Sequence, residues 1–171
     1  MIYGYPFTTE TFCTHRISRE SDLNYNDVAE IEILSDTEFS GNLPDQCPPA
    51  TAVICFKGTL MRLVANDPPT VGDFLSQCDE GNKKPASVSE CQFRGVSYFS
   101  TGSPAYRKTL ERYSQFDRLK KAGKDKIAYI YVNGQSGMID SAIPSKNGHV
   151  CLWRTESYLP QMNVQKVEVI Q

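Results

Sequence analysis

An arginine and a pair of hydroxyl side chains are the residues of this chain whose types and positions most readily support chemistry. Arg62 stands within the apolar run 60–64, and Ser100 and Thr101 end a second apolar run. An arginine held on a strand can bind a pyrophosphate through two hydrogen bonds, and a hydroxyl at a strand end can orient a ribose or a carboxylate. Each has a structural alternative: Arg62 could pair with a carboxylate at the sheet surface, and the hydroxyls could form the turn and cap of the following helix.

Further candidates lie towards the C-terminal end. His149 has an ordinary pKa close to neutrality, which suits a general base, although a hydrogen-bonded loop histidine fits the same sequence. Trp153 fits a core position or a platform for a ligand. Glu156 and Glu168 are the glutamates of the last 31 residues, so a late catalytic carboxylate would be one of them.

The sequence lacks the signature motifs of several large enzyme classes. The sequence contains no G-x-x-x-x-G-K-[ST], G-x-G-x-x-G, H-E-x-x-H or G-x-S-x-G, which argues against P-loop, kinase, zincin and α/β-hydrolase functions. The two histidines, His15 and His149, stand on either side of the core sequence without partners at metal-binding spacing. We therefore expect no metal site.

Length and composition predict one globular domain. The 171 residues are 40% apolar and 22% charged, and single cores serve about 100–200 residues. Strand patterns occur at 28–33, 50–65, 92–101, 127–132, 138–143, 149–154 and 164–170. Their order, with the helices below, predicts an α+β fold: a mixed, mainly antiparallel sheet flanked by two helices.

Capping and turn residues place the helices and boundaries. One helix is expected from Thr70, with Asp73 completing its cap, to Gly81, and a longer one from Ser103 to Gly123. Asn133-Gly134 predicts a hairpin turn. The glycine and three prolines of 41–49 indicate a loop that separates an acidic N-terminal extension, 1–48, packed on the core, from an α+β core, 49–171.

The strand with Arg62, the capped helix after it and the run Tyr98-Phe99-Ser100-Thr101 resemble the ADP-ribosyltransferase superfamily of the Arg-Ser-Glu type, over residues 50–135. The resemblance implies a cofactor, NAD, with Arg62 on its phosphates. It also implies that Ser100 and Thr101 shape the nicotinamide pocket and that Tyr98 or Phe99 stacks on the ring.

The resemblance further implies a catalytic glutamate in a Gln-x-Glu or Glu-x-Glu motif, where this chain has Gln135-Ser136-Gly137. Glu156 is then the acid, and Arg62, Ser100 and Glu156 form the catalytic set, with His149 and Trp153 added to the cofactor site. The implied function is a bacterial toxin or effector that acts on a macromolecular target, with a degenerate catalytic acid as the alternative to an active one.

A second resemblance is to a set of uncharacterised small bacterial proteins. They share an Arg-Leu-Val strand, a Pro-Pro-Thr helix start, a Gly-Val-Ser strand and a late Gly-His segment, which stand here at 62–64, 68–76, 95–99 and 148–153. This resemblance implies a common fold unit without an activity.

Charge is distributed unevenly and supports a different hypothesis. Residues 1–50 carry two arginines against nine carboxylates, a net charge of −7, and residues 107–126 carry eight basic against three acidic residues, a net charge of +5. The alternative function is therefore a non-catalytic protein-binding module, an immunity or inhibitor protein, whose acidic section binds a cognate partner. The basic stretch Arg107–Lys126 could also contact nucleic acid, with Tyr106 and Tyr113 stacking on bases, but helical periodicity explains these tyrosines and the lysines more simply.

Cysteine usage and the lack of a leader predict a cytoplasmic protein. The six cysteines have irregular spacing and no C-x-x-C pair, and so we expect them to be reduced and mostly buried, with metal or disulfide use as the alternatives. The apolar runs are too short to cross a membrane, and residues 1–12 do not resemble a signal peptide.

Overall fold

In the part of the chain that the structure describes, seven strands form one antiparallel sheet. The computed structural model describes residues 38–140 and 145–170. The strands are β1 (Val53–Ile54), β2 (Gly58–Val64), β3 (Val96–Ser100), β4 (Lys126–Val132), β5 (Gly137–Ile139), β6 (His149–Arg154) and β7 (Val164–Val169). Their order is β1-β5-β6-β3-β2-β4-β7, and all pairings among these strands are antiparallel. The expected α+β fold with a mainly antiparallel sheet is confirmed.

The pair β2 and β4 forms the centre of this sheet. The two strands are in register over seven residues, from Gly58 opposite Val132 to Val64 opposite Lys126. Strand β4 buries Ala128 and Ile130 on one face and Ile127 and Tyr129 on the other. The sequence of β4 is nearly continuously apolar, which predicted burial on both faces. The central position of β4 in the sheet explains this pattern.

Within the described residues, three short helices accompany the sheet: α1 (Glu90–Arg94), α2 (Pro104–Ser114) and α3 (Asp117–Lys121). Helix α2 begins as predicted, with Ser103 accepting a hydrogen bond from the Ala105 N–H and proline in the first turn. The helix does not continue to Gly123, because Phe116 has an extended backbone. An unbroken helix would place Leu119 on the face opposite Leu110, nine residues earlier, whereas the break lets both join one apolar cluster.

The helix expected from Thr70 is only a 3-10 turn, Val71–Phe74. The predicted cap is present, since the Asp73 carboxylate accepts a hydrogen bond from the Thr70 N–H at 2.9 Å. The turn stops because Leu75 is extended and its carbonyl accepts a hydrogen bond from Arg62 at 2.6 Å. The Arg62 side chain from β2 therefore donates to a carbonyl that would accept a backbone hydrogen bond in a longer helix.

The expected hairpin at Asn133-Gly134 is also replaced. Asn133 caps a 3-10 turn, Gly134–Ser136, and β5 then pairs with β1 and β6 rather than with β4. The chain thus leaves β4 and crosses to the other half of the sheet. Among the described residues, no helix is long and apolar enough to cross a membrane.

The two faces of the sheet are covered differently. One face carries an extended core cluster around Tyr98, Leu152 and Ile130. The opposite face carries two separate clusters, one around Phe99 and Leu110 and one around Trp153 and Cys151. The space between these two clusters is where a cleft opens.

A disulfide links the segment before the core to α1. Cys47 and Cys91 are bonded, while Cys55, Cys78 and Cys151 are free. The expectation of reduced cysteines is therefore wrong for Cys47 and Cys91, because the fold brings together two residues 44 positions apart in sequence. The same segment packs Phe39 and Leu43 against Trp153 and its neighbours. The strand expected at 28–33, like most of the acidic extension, lies outside the described residues.

Removing this disulfide is expected to destabilise the fold. A Cys47→Ser, Cys91→Ser variant should lose about 2–4 kcal/mol of unfolding free energy, because the open loop raises the entropy of the unfolded chain. Urea denaturation followed by tryptophan fluorescence measures the change, since Trp153 packs beside Cys91. A free cysteine control, Cys78→Ser, should change stability little. Equal midpoints for the double variant and the wild type would contradict the expectation.

Candidate functional site

Arg62 lies buried between β2 and β3. These strands pair only at Leu60 with Ser100 and Met61 with Phe99, and beyond that point the guanidinium fills the gap between them. It donates hydrogen bonds to the backbone carbonyls of Asp73, Ser97 and Leu75, each at 2.6 Å. Arg62 thus ties the 3-10 turn to two neighbouring strands.

These bonds limit what Arg62 can offer to a ligand. Three of the five N–H groups of the guanidinium are held by carbonyls, and a terminal nitrogen faces Glu80 at 3.9 Å. The group also lies over the ring of Tyr98, 5.6 Å from its centroid. Arg62 lines a pocket, but its geometry is that of a structural cation with few donors to spare.

Tyr98 and Trp153 belong to the core. Tyr98 is fully buried, and burial raises the pKa of its phenol to about 12. Its hydroxyl is the one buried side-chain polar atom without a hydrogen-bond partner in residues 38–140 and 145–170. The Trp153 indole donates a hydrogen bond to the Cys91 carbonyl at 2.9 Å. Neither ring presents a face to a ligand.

The two hydroxyls at the end of β3 are occupied locally. Ser100 accepts a hydrogen bond from the Gly102 N–H at 3.0 Å. Thr101 donates to the Thr59 carbonyl at 3.1 Å. These bonds match the turn alternative noted for this pair.

Glu156 is distant from this turn. It is exposed and lies beyond the C-terminal end of β6, whereas Ser100 donates its backbone N–H to Gly148, just before the start of β6. Eight residues of extended chain cover more than about 20 Å. The structure therefore does not bring the predicted set Arg62, Ser100 and Glu156 together.

The position of the missing acid is closed to any side chain. Gly137 has a φ of 134°, and a Cβ there would collide with the Trp153 carbonyl. A Gln-x-Glu motif could not be accommodated at 135–137 on this backbone.

The residues that do converge form a cleft on the face of the sheet between the two smaller clusters, which we call the His149 cleft. Its main pocket has a volume of about 240 Å³. The floor consists of strand residues, and the walls come from α2, α3 and the segment 77–80. Lining residues are Arg62, Leu63, Gln77, Glu80, Ser97, Phe99, Leu110, Tyr113, Phe116, Arg118, Leu119, Lys124 and His149.

Aromatic rings dominate the floor and one wall of the cleft. Phe99 makes edge-to-face contacts with Tyr113 and His149, at centroid distances of 5.5 and 5.6 Å. Tyr113 in turn contacts Phe116 at 5.3 Å. Phe116 is 58% exposed, and so one of its faces is open to a planar group at the mouth of the cleft.

The charge of the cleft is positive. Arg62, Arg118 and Lys124 line it against one carboxylate, Glu80. Glu80 is paired with Lys124 at 2.5 Å. Arg118 is exposed and has no ion pair within the described part of the chain.

A smaller pocket of about 160 Å³ continues the cleft. It shares Gln77, Ser97 and His149 with the main pocket. Its remaining lining carries no charge and consists of Pro85, Val88, Gln92, Phe93 and Cys151. The three shared residues therefore mark a junction between a charged and an uncharged half.

His149 is placed to exchange protons at this junction. Burial lowers the pKa of its imidazole, an effect that the charge of Asp140 opposes, and so the ring is neutral at pH 7. Its nitrogens make no hydrogen bond with any described residue and are not among the buried atoms without partners. The imidazole borders the cleft, because His149 lines both pockets.

Three of the lining residues, Arg62, Phe99 and His149, were site candidates from the sequence, and the others were not. Ser97, Gln77 and Glu80 come from segments whose meeting depends on the fold, and no spacing in the sequence links them. Arg118 and Lys124 were visible only as part of a basic stretch. Among residues 38–140 and 145–170, no group of three His, Cys, Asp or Glu side chains could hold a metal ion.

Comparisons with protein-family models, curated proteins and solved structures found no match to this chain. The site must therefore be interpreted from its own geometry.

Replacing Arg62 tests its structural role. An Arg62→Met variant should lose about 3–5 kcal/mol of unfolding free energy, because three backbone carbonyls, one buried and two partly buried, lose their donor. Urea denaturation measures the loss. The exposed Lys108→Ala variant, a control on α2, should stay within about 0.5 kcal/mol of wild type. An unchanged midpoint for Arg62→Met would show that the guanidinium is dispensable to the fold.

Proposed function

We propose that the protein binds a phosphate-bearing aromatic ligand of the nucleotide class in the His149 cleft. The observation that carries this proposal is that an open aromatic face, Phe116 on Tyr113, lies in the same pocket as an excess of cations, Arg62, Arg118 and Lys124 against Glu80. Rings stack on bases, and cations bind phosphate. A purely apolar metabolite would leave this excess positive charge without a partner of opposite charge.

NAD is the ligand that the sequence resemblance names, and it satisfies these requirements. Within this proposal the ADP-ribosyltransferase-like activity, in a toxin or effector, is an extension. It is supported by Arg62, Phe99 and His149 lining one pocket. If transfer occurs there, Glu80 is the carboxylate in place to assist it, because Glu80 lines the pocket and Glu156 does not.

Calorimetric titration with ADP and NAD tests the binding proposal. Wild type should bind both, and Phe116→Ala should weaken binding about 5- to 100-fold, since stacking on an aromatic side chain contributes about 1–3 kcal/mol. Arg118→Ala should weaken binding and reduce its dependence on salt. Lys108→Ala, an exposed cation outside the lining residues, is the matched control. Absence of heat with both ligands, or equal losses in Arg118→Ala and Lys108→Ala, would reject the proposal.

The second candidate is the protein-binding module that uses its acidic section. It is favoured by the net charge of −7 in residues 1–50 and by the disulfide that fixes Cys47, at the end of this section, to α1. A cytoplasmic location was expected for either function, but disulfides persist mainly in oxidising compartments. The Cys47–Cys91 bond thus favours an extracytoplasmic site of action.

Charge neutralisation distinguishes this candidate. A variant with Glu30→Gln, Glu32→Gln and Asp36→Asn lacks three negative charges of the acidic section. It should lose binding to cytochrome c, a basic probe protein, in low-salt calorimetry. ADP binding should be unaffected. Unchanged cytochrome c binding would count against the acidic section as a binding surface.

A further inference from the structure

The junction of the cleft places a proton acceptor beside the middle of any ligand that fills both pockets. The main pocket offers aromatic and cationic side chains, and the smaller pocket offers none of the cations. Gln77, Ser97 and His149 border both pockets. A ligand made of two linked halves would therefore have its linkage next to these three side chains.

Strand register explains why a hydroxyl and an imidazole meet there. Phe99 pairs with His149 and Ser97 pairs with Cys151 in the β3–β6 ladder. Alternate residues of a strand share a face, so Ser97 and His149 are diagonal neighbours on the cleft side. The Cα atoms of such a cross-strand pair lie about 7–8 Å apart. The Ser97 hydroxyl makes no hydrogen bond with a described residue, and only its backbone carbonyl is used, by Arg62.

A carboxylate stands on the other side of His149. Asp140 follows β5, the next strand of the sheet, and accepts a hydrogen bond from the Cys151 N–H at 3.1 Å. Adjacent strands thus present Asp140, His149 and Ser97 in that order. The carboxylate favours protonation of the ring, which stabilises an imidazolium formed during a reaction.

The other titratable groups around His149 do not compete for its role. The Cys151 thiol, two residues along β6, stays protonated because burial raises its pKa. Tyr113 from α2 accepts a hydrogen bond from the Asn147 side chain. Glu80 and Lys124 are paired with each other across the main pocket, and Arg62 is held by backbone carbonyls.

We propose that the protein hydrolyses the pyrophosphate linkage of a dinucleotide bound across both pockets, with His149 as the general base. This inference rests on the proposed nucleotide site. His149 takes a proton from water while the water oxygen bonds to one phosphorus. The bridging P–O bond breaks, and its electron pair leaves with the second phosphate. That phosphate receives the proton from His149, so one dinucleotide and one water give two nucleoside monophosphates.

The remaining junction residues have positioning roles. Ser97 and Gln77 donate hydrogen bonds to the phosphate oxygens, and Arg118, which has no ion pair among the described residues, offsets the negative charge on the side of the main pocket. The uncharged smaller pocket accepts the neutral base of the second half. Chemistry is therefore confined to the junction and does not need Glu156.

The test uses the full chain with two probes, NAD and diadenosine pyrophosphate, and follows products by chromatography alongside calorimetric binding. Wild type should release AMP from both probes, with nicotinamide mononucleotide as the second product from NAD. His149→Gln should bind the probes within about twofold of wild type but turn them over at least about 100-fold more slowly, the usual contribution of a general base. The wild-type rate should fall as the pH drops below the lowered pKa of His149. Lys108→Ala is the matched control and should retain wild-type turnover.

Each alternative result is decisive. Binding of both probes without cleavage overturns the hydrolysis and leaves the nucleotide site standing. Release of nicotinamide and ADP-ribose from NAD overturns it in favour of ADP-ribosyl chemistry. Undiminished turnover in His149→Gln excludes this residue as the base. Failure to bind either probe overturns both the hydrolysis and the proposed function.

Circular dichroism of His149→Gln checks that its fold is retained. Ser97→Ala provides a second variant, which should slow turnover without changing the pH profile.

Discussion

The capture of three backbone carbonyls by Arg62 is the interaction on which the rest of the structure depends. The guanidinium binds Asp73, Ser97 and Leu75, which belong to a 3-10 turn, a strand and the extended residue after the turn. A buried arginine is costly to desolvate unless its donors are satisfied. Because Arg62 meets that condition with carbonyls alone, it can stand within the sheet and hold the segment 75–80 at the rim of the His149 cleft.

The cleft follows from the way the helices cover the sheet. Helices α2 and α3 pack over one part of the face through Leu110 and Leu119, and the disulfide-linked segment with α1 packs over another through Trp153. Neither cluster covers Ser97 or His149. The break at Phe116 contributes twice, because it turns Leu119 into the apolar cluster and leaves an aromatic ring exposed at the mouth of the cleft.

Only some of the residues that the resemblance to ADP-ribosyltransferases implies come together in the cleft. Arg62, Phe99 and His149 line one pocket. Ser100 and Thr101 are instead used by the turn that ends β3, and Gly137 has no space for a carboxylate. What remains is a cationic, aromatic cleft whose titratable group at the junction is a histidine.

The sequence by itself determined the local features of this protein. The apolar run of β4, the Ser103-Pro104 helix start and the Asp73 cap each depend on neighbouring residues, and each is found where it was expected. Tertiary structure decided the rest. The Cys47–Cys91 bond, the truncation of the helix after Thr70 and the meeting of Ser97, Gln77 and His149 join residues far apart in the chain. No local pattern encodes such contacts, because they arise from strand order and register, which are set by how the whole sheet buries its apolar surface.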